Sequence, residues 1–505
     1  MTDMLIKKYS RRQFIKNTAI TAAGLSAGPF IHLGRAHAVK PVKRVMGRLG
    51  FEATTLGLGG QASLQWTPAD VDPVKIILKA FASGINYYDT SNFYDDSQLN
   101  YGKAFRKLDL VPGEPGYNEK LRRSIFLTSK TCLRFGKGGW KNNVMYNLTN
   151  GSGSHAADDL KRTLSQVFGN GKGDYPKGAY LDMVLMHAVT SIEDMDALYE
   201  GYDKTDSKAE TIGTLATLID FRDGTNLTGL NPKEEKLIRH IGFSGHASPA
   251  VLMEMIHRDT RDVLEGMLVA INANDRNYFN MQYNSIPVAK ARNMGIIAMK
   301  VFADGAMYDK PAVMTQGPHM VIRKVGSKEL PSRKLVEYSL TTPGIHTAII
   351  GTGHIDNNPE ACQLIQNLSS AQIRPHDLTI SDRREIEKLA LTAKDGRTNG
   401  FFQVEKQLLG AARDLSVTQE KQDGKRVVQL KWQTAYAGDE PIVNYEIWRD
   451  NAKVGYIAHK PQGTIRDTFV FNDKLSDESA HNYSILTVDA AGRKSGTEGV
   501  MISGV

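Results

Sequence analysis

Between Gly47 and Lys394 the chain alternates short apolar runs with stretches whose apolar positions return every three or four residues. The short runs predict strands over 55–58, 85–88, 124–128, 181–186, 239–243, 268–271, 296–301 and 347–350. The periodic stretches predict helices over 74–83, 156–168, 249–257, 333–340 and 359–368, with another beginning near Ser97 and Leu99. A strand that is apolar on both faces and leads into an amphipathic helix belongs to a parallel sheet covered by helices. Eight such units in succession predict an α/β fold, a (β/α)8 TIM barrel over 45–395, with its chemistry at the C-terminal ends of the strands. Three stretches break the rhythm: 112–120 and 134–154, rich in Gly, Asn and Lys, and the longer 200–232. Segments of that length in a compact domain predict lids or insertions beside a substrate pocket.

Beyond Gly410 the apolar period shortens to two, through Leu415–Gln419, Val427–Trp432, Tyr445–Trp448 and Tyr483–Val488. That pattern predicts a small all-β, immunoglobulin-like sandwich over 411–505, with Trp432 in its core. Leu430, Trp432, Pro441, Tyr445, Ile447 and Arg449, with Tyr483 ahead of Asp489-Ala-Ala-Gly492, resemble a fibronectin type III module. The resemblance implies that Tyr483 is a corner tyrosine bonded back to the backbone. It also implies a spacer, or a module that binds a protein or polysaccharide partner.

At 505 residues, 41% hydrophobic and 23% charged, the chain can bury two cores and shows no bias toward disorder. Its net charge of +8 is concentrated at the start, where six bases against one acid in the first 38 positions leave only +3 for the remainder. No basic stripe is interleaved with aromatics, so nucleic acid is not an expected partner. Positions 1–38 run from Arg11-Arg12 and Phe14 through a mildly apolar 18–31 to Ala36-His-Ala38. Charged, apolar, small-x-small is the order of an export signal, with cleavage expected after Ala38. The paired arginines resemble the twin-arginine class, which implies passage to the periplasm or beyond in the folded state. The stretch 18–31 is too short and too polar to span a bilayer permanently. Cys132 and Cys362 have no Cys or His at ligand spacing, so buried free thiols and no metal site are expected.

Three successive predicted strands end in polar groups: 85–88 runs into Asp89 and Tyr94, the next into Lys130, and 181–186 into His187. A lysine buried at a strand end needs a counter-charge, and Asp89 can supply it. Gly84-Ile-Asn-Tyr-Tyr-Asp-Thr90 and Tyr94, followed by Lys130 and His187, resemble the signature of the aldo-keto reductases, over roughly 47–394. The resemblance implies a catalytic tetrad of Asp89, Tyr94, Lys130 and His187, and a hairpin around Arg48-Leu-Gly-Phe-Glu52 that closes the barrel bottom. Negative charge building on a carbonyl oxygen must be protonated, and a phenol with pKa near 10 is a poor acid at neutral pH. Lys130, fixed by Asp89, is therefore expected to lower the Tyr94 pKa, while His187 orients the carbonyl.

The same resemblance implies a nicotinamide cofactor along the tops of strands five to eight, touching Gly60, Gln61, Ser244, Asn280, Gln282, Lys300, Gly351, Thr352 and Gly353. Ser244 would hold the carboxamide, and 351–353 would hold phosphate through backbone N–H groups. The sequence departs from the family pattern in places. Gly245 stands where an Asn is usual, Asn280 with Gln282 nearby replaces a Gln, and Lys300 substitutes for an absent arginine clamp. NADP is the expected cofactor, with NAD as the alternative. The function implied is an exported NAD(P)-dependent oxidoreductase acting on a small carbonyl or sugar. The alternative is a barrel-plus-fibronectin binding or scaffold protein with little or no catalysis.

Overall fold

All eight predicted runs of the first domain form strands, and they close into one parallel barrel: β1 Leu56–Leu58, β2 Tyr87–Asp89, β3 Phe126–Thr131, β4 Leu181–Met186, β5 Ile238–Gly245, β6 Leu264–Ala270, β7 Gly295–Met299 and β8 Thr347–Ile350. The computed structural model describes residues 40–139, 155–307, 310–394 and 406–504. The expected signal at 1–38 and most of 134–154 therefore lie outside the described residues. Alternate side chains of the strands go to two different cores. Tyr87, Phe126, Met183, Leu185, Leu268, Ala270, Ile297 and Met299 fill the barrel interior. Val184, Met186, Ile241, Phe243, Met267, Val269, Ile296 and Ala298 pack outward beneath the helices. Burial on both faces explains why these strands read as continuous apolar runs. The hairpin Lys43–Val45 with Glu52–Thr54 is present. Its Met46, Leu49 and Ala53 plug the bottom of the interior.

Helices form at Pro73–Ala82, Ser97–Lys107, Ala156–Phe168, Pro249–His257 and Ser332–Thr341, close to their predicted bounds. The expected 359–368 helix forms instead over Gln363–Ser370, because Asn358 Oδ1 accepts the Glu360 N–H and holds a turn ahead of it. The expectation of a lid at 200–232 is corrected. That stretch contains a short strand, Ile212–Gly213, paired with Phe135–Lys137, and a helix, Thr214–Asp223, packed into the outer barrel core through Leu215, Leu218, Ile219 and Phe221. The buried face of this helix also carries Thr214, Thr217 and Asp220, which blur its apolar period in the sequence.

The second domain is two antiparallel sheets. One contains β9 Arg413–Gln422, β10 Lys425–Gln433 and β13 Phe469–Leu475. The other contains β11 Ile442–Arg449, β12 Ala452–Ala458, β14 His481–Asp489, β15 Lys494–Gly496 and β16 Val500–Ile502. Trp432 is fully buried between them, stacked on Phe469 at 5.8 Å and edge-on to Tyr445 at 5.7 Å. The Tyr483 expectation is corrected: its hydroxyl donates to the Asp473 carboxylate at 2.8 Å, beside Arg449, rather than to backbone.

The sandwich docks on the barrel through a polar seam. The Asn284 amide and the Ala437 backbone exchange two hydrogen bonds, of 2.8 and 3.1 Å. Glu440 meets Arg384 at 2.9 Å and Arg276 at 3.3 Å, and His257 Nε2 lies 2.9 Å from the Gln462 carbonyl oxygen. Asn284 and Arg276 belong to the segment following β6, so the seam abuts the rim at which the strands end.

Candidate active site

β2 and β3 lie in register, Asp89 beside Thr128, so the side chain of Lys130 reaches across the strand ends to Asp89. Lys130 Nζ donates to Asp89 Oδ1 at 2.5 Å and to the Thr90 carbonyl at 2.9 Å. Both residues are 1% exposed. The loop after β2 is held by buried amides. Asn92 Nδ2 donates to the Lys130 and Asp159 carbonyls and to Thr163 Oγ1, and Gln98 Nε2 bonds Ser129 and Thr163. That network fixes Tyr94, whose ring has Lys130 Nζ 4.6 Å from its centroid. The His187 ring, at the end of β4, stands nearly perpendicular to the Tyr94 ring at 5.8 Å. The structure thus brings together Asp89, Tyr94, Lys130 and His187, from three adjacent strand ends.

Burial dominates the electrostatics here. It pushes the Asp89 carboxyl up and the Lys130 ammonium down, each opposed by attraction to the other. Burial, and then the nearby Asp89 charge, hold the Tyr94 phenol well above its ordinary value. The expectation that Lys130 lowers the Tyr94 pKa is therefore not met. The ammonium lies over the ring, and Asp89 offsets its charge. His187 is held well below its ordinary value, by burial first and then by Lys130 and His246, so it is neutral near pH 7.

Asp89 and Tyr94 open into a cleft over the ends of β1, β2, β7 and β8. Gly60 and Gln61 line it. A Cβ on Gly60 would lie 2.4 Å from the Asp89 carbonyl, so only glycine lets the end of β1 approach β2 this closely. Gly351 also lines the cleft. Lys300, at the end of β7, donates to Gln61 Oε1 at 3.0 Å, and burial pushes its ammonium down. Lys300, Ala303 and Asp304 all have left-handed backbone, with φ of 57°, 47° and 58°. Each such residue costs about 1–3 kcal/mol and persists only where surrounding structure enforces it.

Five of the expected cofactor contacts do not line this cleft: Ser244, Asn280, Gln282, Thr352 and Gly353. Gly353 turns its N–H to Gln363 Oε1 at 2.8 Å, and a Cβ there would strike the Ile322 carbonyl at 2.1 Å. Thr352 is buried beside it, its carbonyl accepting the Ser63 N–H, so the expected phosphate nest is not open at 352–353. Ser244 Oγ accepts the Ala188 N–H at 2.9 Å, joining the ends of β4 and β5. Gln282 Nε2 bonds Asp275 and Tyr338, and Gln282 Oε1 accepts from Arg383. Asn280 is buried in the same segment, and neither it nor Gln282 lines the cleft. The residue that follows β6 toward the rim is Asn272, whose Nδ2 donates to the Lys300 carbonyl at 3.2 Å.

Sequence reasoning missed several lining groups. The segment after β7 folds over the cleft, contributing Asp304, Thr315, Ile322 and Lys324, and its Arg323 pairs with Asp70 at the surface at 2.7 Å. Gln363 and Asn367, one helical turn apart, line it beside that segment, Gln363 Nε2 donating to the Ile322 and Lys324 carbonyls. That i, i+4 polar pair within an otherwise apolar helix face was a readable signal. The left-handed lysine and alanine after β7 had none. His246, whose ring lies 6.4 Å from His187, was visible only as the last residue of Gly242-Phe-Ser-Gly-His. Cys132 and Cys362 are free and buried, as expected. Among the described residues no cluster of His, Cys, Asp or Glu is arranged to hold a metal ion, and no helix is long and apolar enough to cross a membrane.

Residues 55–337 match the model of the aldo/keto reductase family, more than half of the chain. A search of curated proteins returns no match. Among solved structures, the chain is similar to an aldo-keto reductase from Bacillus halodurans in its holo form, at 19% identity and a TM-score of 0.42, covering 69% of this chain and 96% of that one. It is also similar to an aldo-keto reductase from Klebsiella pneumoniae in complex with NADPH, at 15% identity and a TM-score of 0.42, covering 69% and 95%.

Proposed function

Because the chain belongs to the aldo/keto reductase family, we propose that it is an exported NAD(P)-dependent oxidoreductase acting on a small carbonyl or sugar. The observation that carries this reading is the convergence of Asp89, Lys130, Tyr94 and His187, of which Asp89 and Tyr94 line the cleft. When bound, the nicotinamide nucleotide supplies or accepts the hydride. The cleft supplies fitting groups: a glycine-permitted close approach at Gly60, the half-buried cation Lys300 for a phosphate, and the Asn367 amide. Lys324, on the covering segment, is the second cation available to an NADP phosphate.

Tyr94 keeps its proton at neutral pH and gives it to the carbonyl oxygen as charge develops there. Lys130, 4.6 Å from the ring centroid, stabilises the phenolate left behind, and Asp89 keeps the ammonium in place. His187, neutral, orients the carbonyl by a hydrogen bond. The segment after β7, latched by Arg323 and Asp70, excludes water and slows nucleotide release.

Arg11-Arg12 supports twin-arginine export with the nucleotide already bound. The two-sheet C-terminal domain, with Trp432 in its core, supports a fibronectin type III-like module that takes a protein or polysaccharide partner. The decisive experiment is to purify the mature protein from the periplasm without added nucleotide, denature it and quantify what is released, then assay carbonyl reduction. Near-stoichiometric NADP or NAD with turnover is the expected result. An empty protein that neither binds nucleotide nor turns over any carbonyl would overturn the reading in favour of a binding or scaffold protein.

A further inference from the structure

Two side chains behind His187 have no part in the proton transfer described above. Cys132 Sγ and Ser91 Oγ each lie 3.3 Å from His187 Nδ1. We infer that Cys132 and Ser91 are positioning residues that hold His187 as the tautomer protonated on Nε2, so that the edge facing away from them presents an N–H donor. The inference rests on the proposed carbonyl chemistry for its consequence, though not for its geometry.

The argument is a count of donors and acceptors. Ser91 and Cys132 are 1% and 5% exposed, so their X–H groups must find partners inside the protein. Ser91 Oγ already accepts the Phe93 N–H at 3.2 Å, which leaves its own hydrogen to donate. Burial pushes the Cys132 thiol up to about 12, so it too carries a hydrogen at neutral pH. The ring nitrogen they share is their common acceptor. Two donors converging on one lone pair leave no place for a proton on Nδ1, because moving it there would strand both buried hydrogens. Neutral imidazole must then carry its proton on Nε2. The backbone that carries the ring and the thiol is pinned as well. Arg134 Nη1 donates to the His187 carbonyl at 3.0 Å and to the Cys132 carbonyl at 3.3 Å, and the His187 N–H donates to the Thr131 carbonyl at 2.8 Å. Arg134 is itself fixed by Asp194 at 2.9 Å.

The test reads the tautomer directly by ¹H–¹⁵N NMR of histidine-labelled protein, with His187→Gln used to assign the signal. The parent should show the Nε2–H pattern across neutral pH. Cys132→Ala combined with Ser91→Ala should lose that pattern. It should also lower kcat for carbonyl reduction about tenfold or more, as expected when a transition-state donor is misplaced, with nucleotide Kd unchanged. Cys132→Ser on the Ser91→Ala background restores a single O–H donor and should rescue both readouts. A parent in the Nδ1–H form, or a double variant that keeps both pattern and kcat, would overturn the inference. If the double variant does not fold, each single alanine variant, with one donor left, should still show the Nε2–H pattern, and loss of it in both would count against the shared-acceptor argument. An inactive parent with the Nε2–H pattern would sink the reductase reading while leaving the tautomer inference standing.

Discussion

β3 and its approach carry two buried ion pairs, one at each end of the barrel, and they are built differently. At the bottom, Arg122 meets Asp182 at 2.8 Å, and its other amino group donates to the Tyr180 carbonyl. Asp182 also accepts the Leu127 N–H and reaches Arg239, and the Tyr180 ring lies against both guanidinium groups, 4.0 and 3.8 Å from its centroid. At the top, Lys130 meets Asp89 at 2.5 Å, but Asp89 Oδ2 has no partner and the pair faces the cleft. Breaking a buried pair is costly wherever it lies. What separates the two is the carboxylate, since among the described residues Arg122 Nε at the bottom also lacks a hydrogen-bond partner. The bottom pair leaves its carboxylate nothing further to bind, which suits a fixed scaffold. The top pair is left one bond short beside a phenol, where charge must change during turnover. Function sits at the C-terminal ends of barrel strands and stability at the N-terminal ends, as this contrast embodies.

The strongest way to break the comparison is Tyr94→Phe. Losing the proton donor should cut kcat by about 10²–10⁴-fold, with nucleotide binding and the melting temperature near those of the parent. Retained activity on every substrate would show that the top pair serves no proton transfer. Next come the pairs themselves. Lys130→Met and Arg122→Met should each destabilise by ~3–5 kcal/mol at most in denaturant titrations, since each takes the nearest counter-charge from a buried carboxylate. Only Lys130→Met should also abolish turnover. Adding Asp89→Asn to Lys130→Met should recover stability but not activity, which separates the pair's two roles.

The pH response sharpens the contrast further. His187 stays neutral in the fold, whereas in the unfolded chain it binds a proton below its ordinary 6.5. Stability should therefore be fully present above pH 6.5 and fall as pH drops below it. His187→Gln should flatten part of that slope, and Arg122→Met should leave it as it is. Equal slopes in parent and His187→Gln would refute the assignment. The smallest effects belong to the seam between domains. Glu440→Gln, at a half-exposed pair, should cost about 0–1 kcal/mol. Asn284→Ala, which orphans the Ala437 N–H and carbonyl, should cost about 1–3 kcal/mol, without altering kcat.

What the sequence determined by itself followed local rules. Apolar runs buried on both faces marked every barrel strand, and a period of two marked the sandwich. Asp89, Tyr94, Lys130 and His187 were legible because each polar residue directly ends or follows such a run. Tertiary structure decided what depends on chain segments far apart. Helix Thr214–Asp223 was hidden because its inward face carries Thr217, which bonds back to the Gly213 carbonyl, and Asp220, which the loop at 225–228 satisfies. The Gly353 N–H looked free for phosphate until Gln363, ten residues on, folded back onto it. Lys130 was expected to lower the Tyr94 pKa, yet desolvation by the surrounding barrel outweighs it, and desolvation is a property of the assembled fold. The donors at His187 Nδ1 come from the ends of β2 and β3, and the left-handed turn at Lys300 bends the end of β7 over the cleft. Periodicity is local and survives in sequence, whereas burial, hydrogen-bond completeness and strain exist only once the eight strand ends have been brought to one rim.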